Sequence, residues 1–397
     1  MEPWRKNLYS IWCAQFIAAV GLNLVIPFLP LYLRELGVAG DKSLKIWSGV
    51  VYAAPFLVSA CMQPLWGILG DRIGRKPMVV RGMLGLSLAH FLMGFSQSAF
   101  QFLIFRLFQG CVAGFIAPSM ALVASSTPAG KMGFALGTLQ TALISSLVLG
   151  PFLGGALVHF MGCRPVFFLT GFFCLCGAIV VIRFVREKFA VQEDEKKSDL
   201  RNNFRSVFHS ADLRRLFFLL VLVQSCIFLV APFLTLYVEF LGVPQEYVAL
   251  MTGAVFGITG VTAAVTSPLW GRRADRVGYR RILRIALAGM IAFFLPQAFV
   301  TSAYQLMFCR AGLGIFVSGT VPIINSIVGL STKESDRGGI FGIFQSGVLI
   351  GNMVGPLLGG GLAAFLGLRA VFLVTTGFLC LGPLLERTMH RADGRRE

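Results

Sequence analysis

Charge is scarce in this chain. Asp, Glu, Lys and Arg together make up 13% of its 397 residues, where an ordinary soluble domain carries about 25%. With 56% of the residues hydrophobic, a fold of this length could not cover its surface in water. Paired cysteines are missing too. Nine Cys occur, almost all inside apolar stretches and with no CxxC beside a metal partner. They read as small buried hydrophobes, so neither a disulfide nor a metal site is expected. No Gly-x-x-x-x-Gly-Lys-Ser/Thr loop occurs, which excludes a P-loop as the direct energy source and leaves no cofactor expected. No nucleophile–base pairing stands out, which argues against an enzyme. Arg5 and Lys6 precede a long apolar run, but no small-residue cleavage site follows it. That run reads as a retained first helix rather than a signal peptide.

What is present is a series of twelve stretches without Asp, Glu, Lys or Arg: 7–33, 46–70, 82–105, 107–130, 132–163, 165–182, 216–238, 247–271, 285–309, 311–332, 338–368 and 370–385. Most exceed the ~20 residues a helix needs to cross ~30 Å of hydrocarbon. Inside lipid every backbone N–H and C=O must be satisfied within its own segment, so such stretches become helices. A barrel would alternate over ~10-residue segments, and none appear. The expected fold is an all-α polytopic membrane protein of twelve transmembrane helices. The last stretch is the shortest, which predicts a helix running past Glu386.

A formal charge of +17 invites a nucleic-acid reading, but its placement opposes one. An even number of spans puts both termini on one side. With that side taken as cytoplasmic, the outer loops hold only Arg34, Lys42, Lys45, Arg164 and Arg369, while Arg106 and Arg310 lie within spans. The other 28 basic residues face inward, a strong positive-inside bias. Lipid, not nucleic acid, is the expected partner of these basic faces.

The chain repeats itself. Gln63-Pro64-Leu65-Trp66-Gly67 followed by Asp71-Arg72-Ile73-Gly74 recurs as Ser267-Pro268-Leu269-Trp270-Gly271 followed by Asp275-Arg276-Val277-Gly278, at an offset of 204 residues. At the same offset Arg106 matches Arg310, Gly110 matches Gly314 and Pro118 matches Pro322; at 205, Pro27 matches Pro232, Gly150-Pro151 matches Gly355-Pro356 and Arg164 matches Arg369. Polar and Gly/Pro landmarks held in register point to two like-oriented six-helix halves, parallel repeats about an axis along the membrane normal. The predicted division is 1–186, a cytoplasmic linker at 187–212 that reads as a solvated tether, and 213–397.

These landmarks resemble the major facilitator superfamily, and within it the twelve-span drug/proton antiporters of bacteria. Gly67-Ile68-Leu69-Gly70-Asp71-Arg72-Ile73-Gly74-Arg75-Lys76 is similar to the family's loop between helices 2 and 3. Arg106-Leu107-Phe108-Gln109-Gly110 is similar to its helix 4 signature, Gly150-Pro151-Phe152-Leu153-Gly154-Gly155 to the helix 5 antiporter signature, and Pro27 and Pro30 to the paired prolines of helix 1. The resemblance covers nearly the whole chain. It implies a monomeric transporter in the bacterial inner membrane, with protons and an amphipathic small molecule as partners. It also implies that Asp71 meets the start of helix 11 near Gly338-Gly339, where the helix dipole favours an anion. Asp275 would mirror it near Gly133, both contacts existing only while the cytoplasmic side is closed.

Arg106 lies about 12 Å into its span at 1.5 Å per residue, where a charge costs at least ~2.5 kcal/mol. It is therefore expected to face a watery cavity and to be paired. The chain departs from the family at the expected partner. Where several members carry a carboxylate ahead of the paired prolines this chain has Asn23, and none of its eighteen Asp and Glu lies mid-span. Glu35 and Asp71 remain as the proton-coupling candidates, with His90 and His159 behind them. Gly150 and Gly154 are expected to seal helix 5 against helix 8, with Pro151 bending the helix. Cavity-facing polar groups would be Asn23, Gln109, Gln140, Gln224, Arg310, Asn325, Gln345 and Asn352, beside Phe and Met suited to adaptable apolar recognition. Two alternatives stay open: uptake or exchange of a specific polar metabolite, which the two arginines would suit if it is an anion, and a non-transporting sensor built on a transporter fold.

Overall fold

The computed structural model describes residues 2–187, 200–332 and 337–387. The side chains of a few residues within these ranges, Asp71 among them, lie outside the description. Twelve long helices account for most of the described chain: α1 (Trp4–Glu35), α2 (Asp41–Ile73), α3 (Arg75–Gly94), α4 (Ala99–Ser126), α5 (Met132–Met161), α6 (Cys163–Phe184), α7 (Ala211–Phe240), α8 (Val248–Val277), α9 (Tyr279–Ala298), α10 (Ala303–Leu330), α11 (Arg337–Leu366) and α12 (Leu368–Arg387). The first eleven contain spans long and apolar enough to cross a membrane, and the twelfth holds a shorter apolar run at Leu368–Pro383. As expected, α12 continues past Glu386. A short helix, Leu200–His209, precedes α7.

The repeat in sequence is a repeat in contacts. The Tyr32 hydroxyl donates to the Met93 carbonyl at 2.7 Å, and Tyr237 to Gln297 at 2.6 Å. Arg164 donates to the Ser96 carbonyl and Arg369 to Val300. Ser98 and Ser302 cap α4 and α10 by accepting from the N–H of Gln101 and Gln305, whose side chains reach back to the N–H of Gln97 and Thr301. The tryptophans of the repeated Pro-Leu-Trp-Gly each give their indole N–H to the neighbouring span, Trp66 to Cys111 and Trp270 to Ile315. Both α1 and α7 tighten into a 3-10 turn at Pro27 and Pro232, because proline cannot donate the bond that would continue the helix.

One element breaks the symmetry. α10 runs unbroken through Ser318, but α4 opens at residues 113–115, between Ala99–Val112 and Ile116–Ser126. Gly114, the counterpart of Ser318, sits at φ +105°, a conformation glycine enters freely and serine does not.

The halves meet through α2 against α11 and α5 against α8. The close approaches run from the end of the bundle away from the termini to the middle of α8, where a Cβ on Gly260 would stand 3.1 Å from the Val148 Cα. A Cβ on Gly49 would stand 3.1 Å from the Gly360 Cα, and one on Gly253 3.0 Å from the Gly155 Cα.

Candidate functional site

Arg106 is buried, 4% exposed, on the α4 face toward α2. Its Nε donates to the Val51 carbonyl at 3.0 Å and its Nη1 to Gln109 Oε1 at 2.6 Å. The Val51 carbonyl is free because the residue four places on is Pro55, which has no N–H to return. Gly110 lets the two helices come close enough for the arginine to reach it, since a Cβ there would lie 2.8 Å from the Pro55 Cα. The sequence predicted a watery cavity and a paired charge. The structure instead gives a backbone carbonyl and an amide, and no carboxylate among the described residues accepts from Arg106. His90, near the same cluster, gives its Nδ1 to the Leu86 carbonyl of its own helix and is buried.

Arg310 has the same place in the second half without the same partners. It is 6% exposed, and its Nε and Nη2 have no hydrogen-bond partner. Its guanidinium stands 6.0 Å from the centre of the Phe294 ring. Two residues explain the difference. Thr259 replaces Pro55, so Val255 is not deprived of its helical donor, and Leu313 replaces Gln109.

The break in α4 exposes carbonyls that helices 2 and 3 take up. Ser59 donates to Gly110, Trp66 to Cys111 and Arg81 to Ala113. The Arg81 guanidinium lies 3.6 Å above the Trp66 ring, while its Nε and Nη1 are buried and unpartnered. Sequence reasoning missed this cluster. Its signal was Arg81 at the edge of a charge-poor stretch, together with a glycine four residues before Pro118.

In the loop motif, Gly74 and Gly278 turn the chain at φ +99° and +98°, each ending one span and opening the next. Arg75 donates to the Ala121 carbonyl and Lys76 to Ile182 and Val185 at the end of α6. Glu187, another residue missed, accepts from the N–H of both Arg75 and Lys76 at 2.9 and 2.8 Å, an anion at a helix N-terminus. Arg72 and Arg276 are exposed. The expected contact of Asp71 with Gly338-Gly339 falls on side chains outside the described residues. Asp275 is not brought to Gly133; it is exposed and accepts from the hydroxyl of Tyr279 on the next helix.

The helix 5 signature needs correction. Gly150 and Gly154 pack α5 against α1 at Asn23 and Leu24, inside the first half. Only Gly155, turned about 100° from Gly154, faces α8, at Ala249 and Gly253. Gly351, Gly355 and Gly359 likewise pack α11 on α7. Pro151 lies within an unbroken helix, Met132–Met161.

Several predicted cavity residues are held in helix contacts instead. Asn23 donates to Ala19 and Ser146. Gln109 serves Arg106, Gln224 lies against Gly351, and Asn352 is buried with its Oδ1 unpartnered. Gln140 and Gln345 are exposed at matching places, and Asn325 is half-buried. Glu35 is far from Arg106, exposed at the end of α1 and accepting from the Cys163 N–H at 3.4 Å.

The two ends of the bundle differ. At the end away from the termini, Arg34 pairs with Glu239 at 2.8 Å, Thr235 donates to the Pro27 carbonyl, and His159 binds the Glu246 carbonyl while stacking on Tyr247. Tyr52 and Phe56 pack on Phe228. All of these join one half to the other. At the opposite end Gly67, Gly133, Gly137, Gly271 and Gly342 face open space, and Leu65, Phe134 and Leu269 are exposed.

Two repeated helical halves, held to each other by contacts at the end away from the termini, form the framework of a membrane transporter. The chain belongs to the Major Facilitator Superfamily, whose family model matches residues 11–263 and 249–393. It is 37% identical over 381 residues to Multidrug resistance protein MdtG of Salmonella arizonae, covering 96% of this chain and 94% of that protein. Among solved structures, the nucleoside transporter NupG superposes with a TM-score of 0.81 at 12% identity, covering 97% of this chain and 99% of that one. The human organic anion transporter MFSD10 superposes at 0.71 and 19%, covering 97% and 100%. At such identities the likeness concerns the fold.

Proposed function

We propose that this chain exports lipophilic or amphipathic small molecules in exchange for protons. It acts as a monomer in the bacterial cytoplasmic membrane, with both termini in the cytoplasm and residues 1–186 rocking against 213–397. The observation that carries the reading is the set of contacts that joins the two halves at the end away from the termini. With the termini inside, these contacts belong to the inward-open arm of an alternating-access cycle, and Gln140 and Gln345 wait on its walls. The name of the Salmonella relative supports a multidrug substrate range. The absence of an Asp275–Gly133 contact fits a gate that forms only on closure, and the same is expected of Asp71. Glu35 and Asp71 remain the coupling candidates. Drug uptake into everted vesicles tests the proposal. Uptake should rise when a pH gradient, acid inside, is imposed, and equal rates with and without the gradient would remove proton coupling.

A second reading, transport of an anionic metabolite, is favoured by one observation, the two unpartnered guanidinium nitrogens of Arg310. Flux assays with candidate anions separate it from drug export.

A further inference from the structure

The second part of the linker is not the solvated tether its composition suggested. Leu200–His209 is a helix that packs on α7 and α11. Val207 is fully buried, and the Phe208 ring meets Phe217 at 5.6 Å and Phe218 at 6.4 Å. Only Ser210 separates this helix from α7, where its hydroxyl accepts from the Leu213 N–H. A corner of one residue holds the helix at the N-terminal end of α7.

Two aromatic rings remain uncovered there. Phe204, stacked on Phe208 at 5.5 Å, is 51% exposed and Phe218 is 50% exposed. Basic groups surround them. Arg205 and Arg214 are exposed, and Arg214 also donates to the Phe208 carbonyl. Arg215 and Arg280 both approach the carboxylate of Asp212, at 3.8 and 3.6 Å. The exposed guanidinium groups of Arg205 and Arg214 thus stand beside exposed apolar rings. An anionic headgroup with its acyl chains has both complements, whereas water suits only the charges.

We infer that Leu200–His209 lies in the headgroup layer and docks anionic phospholipid, with Arg205 and Arg214 toward the phosphate and Phe204 and Phe218 among the chains. The docked lipid touches only the second half of the protein, through α7 and α11.

The test uses the full chain in bilayer nanodiscs. Phe204→Trp replaces an exposed ring, and the added fluorescence, obtained by subtracting the parent signal, should be quenched by lipids brominated along the acyl chain and shielded from aqueous iodide. Quenching by iodide and not by bromolipid would overturn the placement. Phosphatidylglycerol binding to the purified protein, followed by native mass spectrometry, reads the charge. Arg205→Gln should weaken it about fivefold, the effect of one arginine near an anionic surface, while phosphatidylcholine binding stays as in the parent. Equal phosphatidylglycerol affinity in parent and variant would overturn the headgroup contact.

Discussion

Adding one methyl group at Gly253 should shift the transporter toward its other state. A Cβ there would stand 2.6 Å from the Pro151 carbonyl oxygen and 3.0 Å from the Gly155 Cα, where ordinary contact begins at 3.4 Å. Neither neighbour is a flexible side chain that could swing aside, so α5 and α8 must part by several tenths of an ångström. Overpacking of this kind costs about 1–3 kcal/mol. The strain exists only while the end away from the termini is shut, so it is removed from the equilibrium when that end opens. A bias of that size corresponds to about a 5- to 150-fold change in the ratio of the two states. Cys61 reports the outcome without engineering, because it is exposed on the stretch of α2 leading to the open end. In Gly253→Ala the rate at which a membrane-impermeant maleimide labels Cys61 should fall, with Cys61→Ser giving the background. A Gly253→Ala protein that melts like the parent and labels at the parent rate would show that this contact does not set the balance between the states.

Three other outcomes are expected. Gln109→Leu leaves Arg106 Nη1 without its acceptor in a buried site, which should destabilise the protein by about 1–3 kcal/mol, read as a lower melting temperature in detergent; Leu313→Gln should raise it by supplying Arg310. Gly114→Ala places a side chain at φ +105°, costing about 1–2 kcal/mol, so α4 should straighten and loosen Trp66 and Arg81, read as altered tryptophan fluorescence. Ser318→Gly in the unbroken α10 should leave that signal unchanged. Glu239→Gln removes a partly exposed ion pair worth at most about 1 kcal/mol, so drug efflux should change by no more than about fivefold, and the exchange Arg34→Glu with Glu239→Arg should restore it.

The number of helices and the twofold repeat were legible because lipid leaves little choice, but not every limit was: the charge-free stretches 82–105 and 285–309 run across the turns at 95–98 and 299–302, because Arg106 and Arg310 lie inside α4 and α10 rather than between spans. A long charge-free stretch is mostly helix, and like landmarks at a fixed offset mark corresponding helices. Burial direction was less legible. Gly150, Gly154 and Gly155 look interchangeable in a signature, yet a step of one residue turns a helix by about 100° and sends Gly155 to the other half. Polar residues were also assigned to a cavity too freely. The Asn23 amide nitrogen and the Gln109 carbonyl oxygen are engaged within the first half, and only the three-dimensional neighbours reveal it.

The details that separate the halves were in the sequence all along, written as single substitutions across the repeat. Pro55 opposite Thr259 frees one carbonyl, Gln109 opposite Leu313 supplies one amide, and between them they decide that Arg106 is satisfied while Arg310 is not. Gly114 opposite Ser318 permits one helix to break and keeps the other whole. In a duplicated fold the matching residues specify the scaffold. The mismatches are where the two halves are chemically unlike, Arg106 and Arg310 being the clearest case. Transport should accordingly be more sensitive to making the halves alike, as in Gly114→Ser or Pro55→Thr, than to equally large changes at matched positions facing lipid.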